Sequence, residues 1–235
     1  LMSYTLQRGW FTDVNGRPVI KKPLSLSTTS WARGFPVGCL FHFTVGCNND
    51  ISATLESKNF GTTFNVGRDG SIYQYRPLMK PSWHAFGASR YYMGVEHTSL
   101  GPGTTCRLTD VQLETSAALM AAIVEWTKKA KGFAIPIVKN PAPVDCSYPP
   151  GFCDHRDGAS CWNQNGHTDH LFLWTWDEYL DRVSSYLPPP TVISVVATKG
   201  ERRRERVFDT LKRSWAWGKE LVSHGWRVSY KRALG

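Results

Sequence analysis

Three short segments of the 235-residue chain carry imidazoles and carboxylates where such groups can converge on a metal ion. His42 lies near the end of an apolar run that is predicted to be a strand, and Glu96 lies on another predicted strand. His155, His167 and Asp169 follow in a polar segment. A hydrolytic zinc ion takes three ligands of these types and keeps one position for water. The sequence therefore predicts a catalytic zinc site.

The five groups divide into three metal ligands and two groups that move protons. His42, His155 and Asp169 can supply the three ligands, which leaves Glu96 and His167 uncoordinated and suited to acid–base chemistry. Simpler interpretations stay open. A histidine on an apolar strand is commonly a hydrogen-bonded core residue, and a strand glutamate is commonly paired with a nearby cation.

Other residues compete with Asp169 for the third ligand position. His170 follows it directly, while Cys153 and Cys161 flank His155. The six cysteines show no tight repeating framework and no export signal is visible, so we expect reduced thiols.

The residue pattern also predicts the elements that position these groups. Thr109 and Gln112 form a capping-box start for a helix that ends at Gly132. His97 points to the face opposite Glu96 if its strand is regular, so it is left out of the site. Residues 1–35 are expected to be irregular and residues 136–165 to form a long polar loop. The predicted strands are 37–43, 60–66, 71–75 and 92–98, and a short helix is predicted at 174–186.

Charge and proline mark a boundary near the end of the chain. Residues 199–235 contain eleven Lys or Arg and four acidic residues, so they carry +7 of the formal net charge of +9. A stiff Pro linker at 188–190 precedes them. We expect a catalytic domain at 1–187 and a small basic βαβ-like appendage at 191–235, in which 201–223 would be helical.

The appendage has competing interpretations. Its arginines and tryptophans could bind anionic envelope polymers or a membrane surface, or they could form a solvated helix face over buried tryptophans. Nucleic acid is possible on electrostatic grounds alone, but no specific nucleic-acid partner is expected. The composition, 41% hydrophobic and 20% charged, is ordinary for a globular protein. Neither a transmembrane segment nor a signal peptide is predicted.

Six short motifs occur in order within residues 20–187. They are His42-Phe43-Thr44, Gly67-Arg68-Asp69-Gly70, Trp83-His84-Ala85-Phe86-Gly87, Gly94-Val95-Glu96, Asp154-His155-Arg156-Asp157 and Thr168-Asp169. Together they resemble the zinc-dependent N-acetylmuramoyl-L-alanine amidases of type 2, a family that includes phage amidase endolysins and peptidoglycan recognition proteins.

The resemblance implies an α/β fold, in which a central mixed β-sheet is flanked by helices and zinc lies in a substrate groove. It implies hydrolysis of the amide bond between N-acetylmuramic acid and L-alanine of peptidoglycan. Glu96 would take a proton from the attacking water and pass it to the leaving nitrogen, and protonated His167 would stabilise the oxyanion. Trp83, His84 and Thr62 are the expected substrate contacts, although Trp83 and His84 could equally be packing residues.

The chain departs from the family pattern around the last ligand. Asp169 is followed by His170-Leu171 where relatives have Pro-Gly, and fourteen positions separate it from His155. His167 stands where many relatives have Lys, and Thr62 stands where some carry a catalytic Tyr.

The leading hypothesis is a phage-type endolysin that is held in the host cytoplasm before it reaches the cell wall. The alternative is a non-catalytic peptidoglycan-binding module, which would not need Asp169. The basic appendage disfavours an intracellular recycling amidase.

Overall fold

The computed structural model divides into two compact units, residues 1–187 and 188–235. It describes residues 2–234 except for 27, 47, 100–107, 141–146, 159–174, 189–190, 200–201, 209–219 and 225. Each unit has a β-sheet of its own, with eight strands in the first sheet and three in the second among the described residues.

The first unit contains eight strands and three α-helices among its described residues. In chain order they are β1 (Tyr4–Gln7), β2 (Trp10–Val14), β3 (Arg17–Lys21), β4 (Gly38–Val45), α1 (Ser52–Lys58), β5 (Phe64–Val66), β6 (Ile72–Gln74), β7 (Tyr92–Ser99), α2 (Asp110–Lys131), β8 (Gly151–Asp154) and α3 (Trp176–Tyr186). Two 3₁₀ turns, Phe86–Arg90 and His155–Gly158, complete the set.

The eight strands form one mixed sheet in the order β1-β2-β3-β6-β5-β7-β4-β8. The four strands β5, β7, β4 and β8 are parallel to one another. The carboxyl ends of these strands therefore meet at one edge of the sheet, where side chains from distant parts of the sequence come together. The predicted mixed sheet flanked by helices is confirmed.

Helix α2 provides most of the core on one face of the sheet. Thr109 caps it by accepting a hydrogen bond from the backbone N–H of Gln112 at 3.1 Å, and Gly132 ends it in the left-handed conformation. Both predicted ends are therefore confirmed. α3 packs on α2, where Arg182 pairs with Glu114 at 3.0 Å. In the described part of the chain, no helix is both long and apolar enough to cross a bilayer.

The first 35 residues are more regular than predicted. Two-residue turns at Arg8-Gly9 and Asn15-Gly16 connect β1, β2 and β3 into an antiparallel ribbon. All four turn residues have positive φ, as type I′ turns require. The Asn-Gly pair was the available sequence signal, and the prediction of an irregular segment is wrong for residues 4–21.

The predicted long polar loop also contains regular structure. β8 lies inside it and pairs with β4 in parallel, so His155 directly follows a buried strand. Helix α1 was not predicted, and the strand expected at 60–66 begins only at Phe64.

The second unit is built from antiparallel strands. β9 (Thr191–Lys199) pairs on one side with β10 (Arg202–Phe208) and on the other with β11 (Arg227–Leu234). The predicted strand at the start of this unit is confirmed. The predicted βαβ-like arrangement is wrong, because the arginine-rich segment pairs as a strand where a helix was expected. A short helical turn at 220–223 precedes β11.

Two glycines allow β4 and β8 to pair closely. A Cβ atom on Gly38 would lie 1.8 Å from the carbonyl oxygen of Gly151, which is far inside van der Waals contact. Because these glycines are register partners, the strand that carries His42 and the strand that precedes His155 pair only if position 38 has no side chain.

We expect Gly38→Ala to lower the free energy of unfolding by about 3 kcal/mol or more, because the strands must separate to admit the methyl group. Gly132→Ala is the control. Its Cβ would meet no atom within 4 Å but its φ is +66°, so the expected cost is only the left-handed backbone, about 1–2 kcal/mol. Urea unfolding measures the stability of both variants. Equal losses of unfolding free energy in the two would contradict the steric explanation.

Candidate functional site

Three predicted site residues lie in one row across the parallel strands. His42 of β4 and Glu96 of β7 are register partners, so their side chains share a face of the sheet about 4.8 Å apart at the backbone. Asp154 of β8 is opposite Phe41, and His155 follows it directly at the start of the 3₁₀ turn. The imidazole centroids of His42 and His155 are 4.4 Å apart. The structure therefore brings these three side chains together at one cavity, and their roles stay predictions.

The row forms one wall of a cavity of about 350 Å³. Residues from α1 and the segment after it provide an opposite, mainly apolar wall, and Lys58 is the cation among the described lining residues. The cavity is lined by His42, Phe43, Thr44, Ile51, Thr54, Leu55, Lys58, Phe60, Gly61, His84, Glu96 and His155. A few polar groups converging within an apolar cleft are typical of a ligand-binding site.

Buried ion pairs hold the segment around His155. Lys139 contacts Asp157 at 3.0 Å and Asp154 at 3.8 Å. Asp157 also accepts a hydrogen bond from the backbone N–H of Asp154, and the indole N–H of Trp176 donates to Asp154 at 3.2 Å. An aspartate in a polar segment is ordinarily solvated, but Asp154 is buried, and these partners stabilise a charge that burial would otherwise disfavour.

His84 lies beside His42 in the interior. Its Nδ1 atom is 2.9 Å from Nε2 of His42, and its Nε2 atom is 2.9 Å from the carbonyl oxygen of Tyr92. Burial, and secondarily the adjacent His42, lower the pKa of His84 well below its ordinary value. His84 does line the cavity, but both ring nitrogens already have protein partners.

A second buried chain of hydrogen bonds reaches the backbone of His42 from the face of the sheet that α2 covers. His97 faces α2, as predicted from strand alternation, and its Nδ1 lies 3.3 Å from the carbonyl oxygen of His42. Its Nε2 lies 2.7 Å from Oγ of Ser116, which is 2.7 Å from the hydroxyl of Tyr179. Burial raises the pKa of Tyr179, so its hydroxyl stays protonated and can donate.

The other two predicted substrate contacts, Thr62 and Trp83, are not among the residues that line the cavity. Thr62 is 0% exposed and donates to the carbonyl oxygen of Phe64 at 3.2 Å, so its position gives the predicted contact no support. Trp83 is half-buried, packs against Phe86 with ring centroids 6.0 Å apart, and is not among the residues that line the cavity.

The remaining predicted groups lie outside the described residues. His167, Asp169, His170 and Cys161 all fall within 159–174. Among the residues that the structure does describe, no group of three or more His, Cys, Asp or Glu side chains is arranged to hold a metal ion. Burial raises the pKa of Cys153, which disfavours the thiolate that a metal ligand must be.

Sequence reasoning missed several lining residues. Thr44 lies two positions after His42 on the same face of β4, and strand alternation could have identified it. The contributions of Ile51, Leu55 and Lys58 could not be predicted because α1 itself was not predicted.

The family comparison agrees with this arrangement. The profile of the N-acetylmuramoyl-L-alanine amidase family (amidase type 2) matches residues 36–169, which include β4, β7 and β8 with His42, Glu96 and His155. The chain belongs to this family. It has no match among curated protein sequences.

Two solved structures, AmiA and AmpD, show the same fold. The AmiA hydrolase of Staphylococcus aureus is 15% identical with a TM-score of 0.54, and the match covers 72% of this chain and 83% of that one. AmpD is 16% identical with a TM-score of 0.51, over 78% of this chain and 99% of that one. The endolysin LysCS of Clostridium intestinale is 14% identical with a TM-score of 0.49, over 71% and 95%.

We expect Ser116→Ala to destabilise the protein by about 1–3 kcal/mol, because it leaves Nε2 of His97 and the hydroxyl of Tyr179 buried without their shared partner. The exposed Ser185 of α3 is the matched control, and its replacement by Ala should change stability by less than about 0.5 kcal/mol. A double-mutant cycle with Tyr179→Phe, read by urea unfolding, should show coupling of about 1 kcal/mol. If the two single-variant losses of stability simply add in the double variant, the proposed chain of hydrogen bonds is contradicted.

Proposed function

We propose that this protein is a peptidoglycan hydrolase that cleaves the amide bond between N-acetylmuramic acid and L-alanine with the help of a zinc ion. The observation that carries the proposal is the row of Glu96, His42 and His155 at the carboxyl edge of the sheet, in a chain of the amidase family. The two imidazoles and the carboxylate that line this cavity are two of the three ligands and the base that zinc hydrolysis needs.

The donor chemistry fits zinc. His42 and His155 would be the nitrogen ligands, and their rings already lie side by side without rearrangement of the strands. Asp169 would be the third ligand, with His170 as its competitor. When bound, zinc would acidify a water molecule and polarise the carbonyl group of the muramoyl amide.

The protein's own groups would then move the protons. Glu96, fixed on β7 one strand away from His42, would accept the proton of the attacking water and deliver it to the nitrogen of the departing alanine. His167 would stabilise the negative charge on the carbonyl oxygen. The apolar wall that includes Ile51, Leu55 and Phe60 would limit the access of other water molecules.

The biological setting is part of the same proposal. We assign the protein as a phage endolysin that acts on the cell wall after storage in the host cytoplasm. The unit at 188–235 would bind anionic polymers of the envelope, because Arg202, Arg203 and Arg204 are exposed on β10. Arg204 also lies over the ring of Trp226, with its guanidinium carbon 4.9 Å from the centroid.

Purified peptidoglycan should release new L-alanine amino termini, and a chelator should stop the release until zinc is added back. Glu96→Gln should keep zinc but lower kcat by about 10²–10⁴-fold, because the amide is isosteric and cannot take the proton. Zinc content measured on the same samples separates loss of metal from loss of the base. A protein that holds zinc and binds sacculi of several chemotypes without any release would instead be a recognition module.

The ligand set has its own test. His42→Ala and His155→Ala should each abolish tight zinc binding in a competition titration with a chromophoric chelator. Asp169→Ala should do the same while His170→Ala should not. His224→Ala, an exposed imidazole of the second unit, is the control and should bind zinc like the unaltered protein. Loss on His170→Ala with retention on Asp169→Ala would reassign the third ligand.

A further inference from the structure

The contacts of His84 determine which of its nitrogens carries a proton. Nε2 of His84 faces the carbonyl oxygen of Tyr92 at 2.9 Å, and a carbonyl oxygen can only accept a hydrogen bond. Nε2 of His84 is therefore the donor. A neutral imidazole has a single N–H, so with that proton on Nε2 the Nδ1 atom of this buried ring carries the lone pair.

This assignment also determines the tautomer of His42. Nδ1 of His84 lies 2.9 Å from Nε2 of His42, so the acceptor on His84 requires the donor on His42. A neutral His42 with its proton on Nε2 has its lone pair on Nδ1. Since a metal binds only a deprotonated ring nitrogen, the direction of the hydrogen bonds selects Nδ1 as the ligand atom.

We propose that His84 is a positioning residue, which holds His42 in the Nε2-protonated tautomer so that Nδ1 of His42 binds the metal. The inference rests on the proposed function and refines it. It reassigns His84 from substrate contact to a role that acts through His42.

The surroundings of His84 hold its ring in place. The ring lies against Gly94, where a Cβ atom would approach Cγ of His84 to 2.7 Å. The hydroxyl oxygen of Ser89 accepts from the backbone N–H groups of His84 and Ala85 at 3.0 and 2.7 Å. Gly94 lies two residues before Glu96 on β7, and the absence of a side chain there provides the space that His84 occupies.

A neutral acceptor has a chemical consequence for the metal. Ligating histidines commonly donate to a carboxylate, which raises the basicity of the ligand. His84 orients His42 without adding a negative charge next to the metal. The ion would then keep more of its ability to polarise a carbonyl group.

The first test reads the tautomers directly in metal-free protein. In ¹⁵N-histidine-labelled samples at mildly alkaline pH, long-range ¹H–¹⁵N spectra should show that the rings of His42 and His84 are both protonated on Nε2. The signals are assigned with variants in which one histidine at a time is replaced. Added zinc should perturb Nδ1 of His42. An Nδ1-protonated His42, or zinc on its Nε2, would overturn the proposal.

The second test measures zinc affinity by chelator competition. His84→Leu should weaken binding about 10–100-fold, and Gly94→Ala should weaken it too because the methyl group displaces the ring. His84→Asn, whose amide oxygen can accept from His42, should restore part of the loss. Val95→Ala is the control, since Val95 is buried on the opposite face of the same strand.

Zinc affinity of His84→Leu equal to that of Val95→Ala would refute the role. The outcomes also separate the two proposals. The expected tautomers in a protein that releases no alanine would leave His84 as inferred and refute the amidase. Alanine release by a protein whose His42 is protonated on Nδ1 would support the amidase and refute the role of His84.

Discussion

The arrangement of the site depends on the register of β4 between its two parallel neighbours. Pairing with β7 places Glu96 opposite His42, and pairing with β8 places His155 next in the same row. Side chains alternate between faces, so a slip of one residue in either ladder would put a phenylalanine of β4 where His42 is needed. Three groups separated by more than fifty residues in the sequence thus reach one edge of the sheet through the backbone ladders on either side of β4.

Buried polar groups then determine the orientation of His42 within that row. The side chain of His42 meets His84, while its carbonyl oxygen meets His97. His84 is itself hydrogen-bonded to Tyr92, and His97 is hydrogen-bonded to Ser116. Buried imidazoles are costly unless they are hydrogen-bonded, and these chains offset that cost while allowing a single orientation. The fold therefore fixes both the position and the orientation of a proposed ligand.

Local signals in the sequence predicted the parts of the fold that local chemistry decides. The helix cap at Thr109 is an example, because a few adjacent residues satisfy the backbone there. β8 was missed because its four residues between polar segments form a strand only through pairing with β4. The arginine-rich β10 was predicted to be helical for a similar reason. It forms a strand through backbone pairing with β9, which its own residues do not indicate. The burial of Asp154 could not be predicted because Lys139 and Trp176, which contact its carboxylate, are remote in the sequence.

The contrast between His42 and His97 shows which sequence information separates a site histidine from a structural one. Both are buried on central strands, and both are hydrogen-bonded, so burial does not distinguish them. Strand alternation does: the register partner of His42 is Glu96, so His97, one position later, faces α2. A histidine on the helix-covered face can be satisfied by a serine, whereas one on the open face at the carboxyl edge adjoins the cavity. Residue type and strand prediction alone would treat the two alike, and the face of the strand assigns them to different tasks.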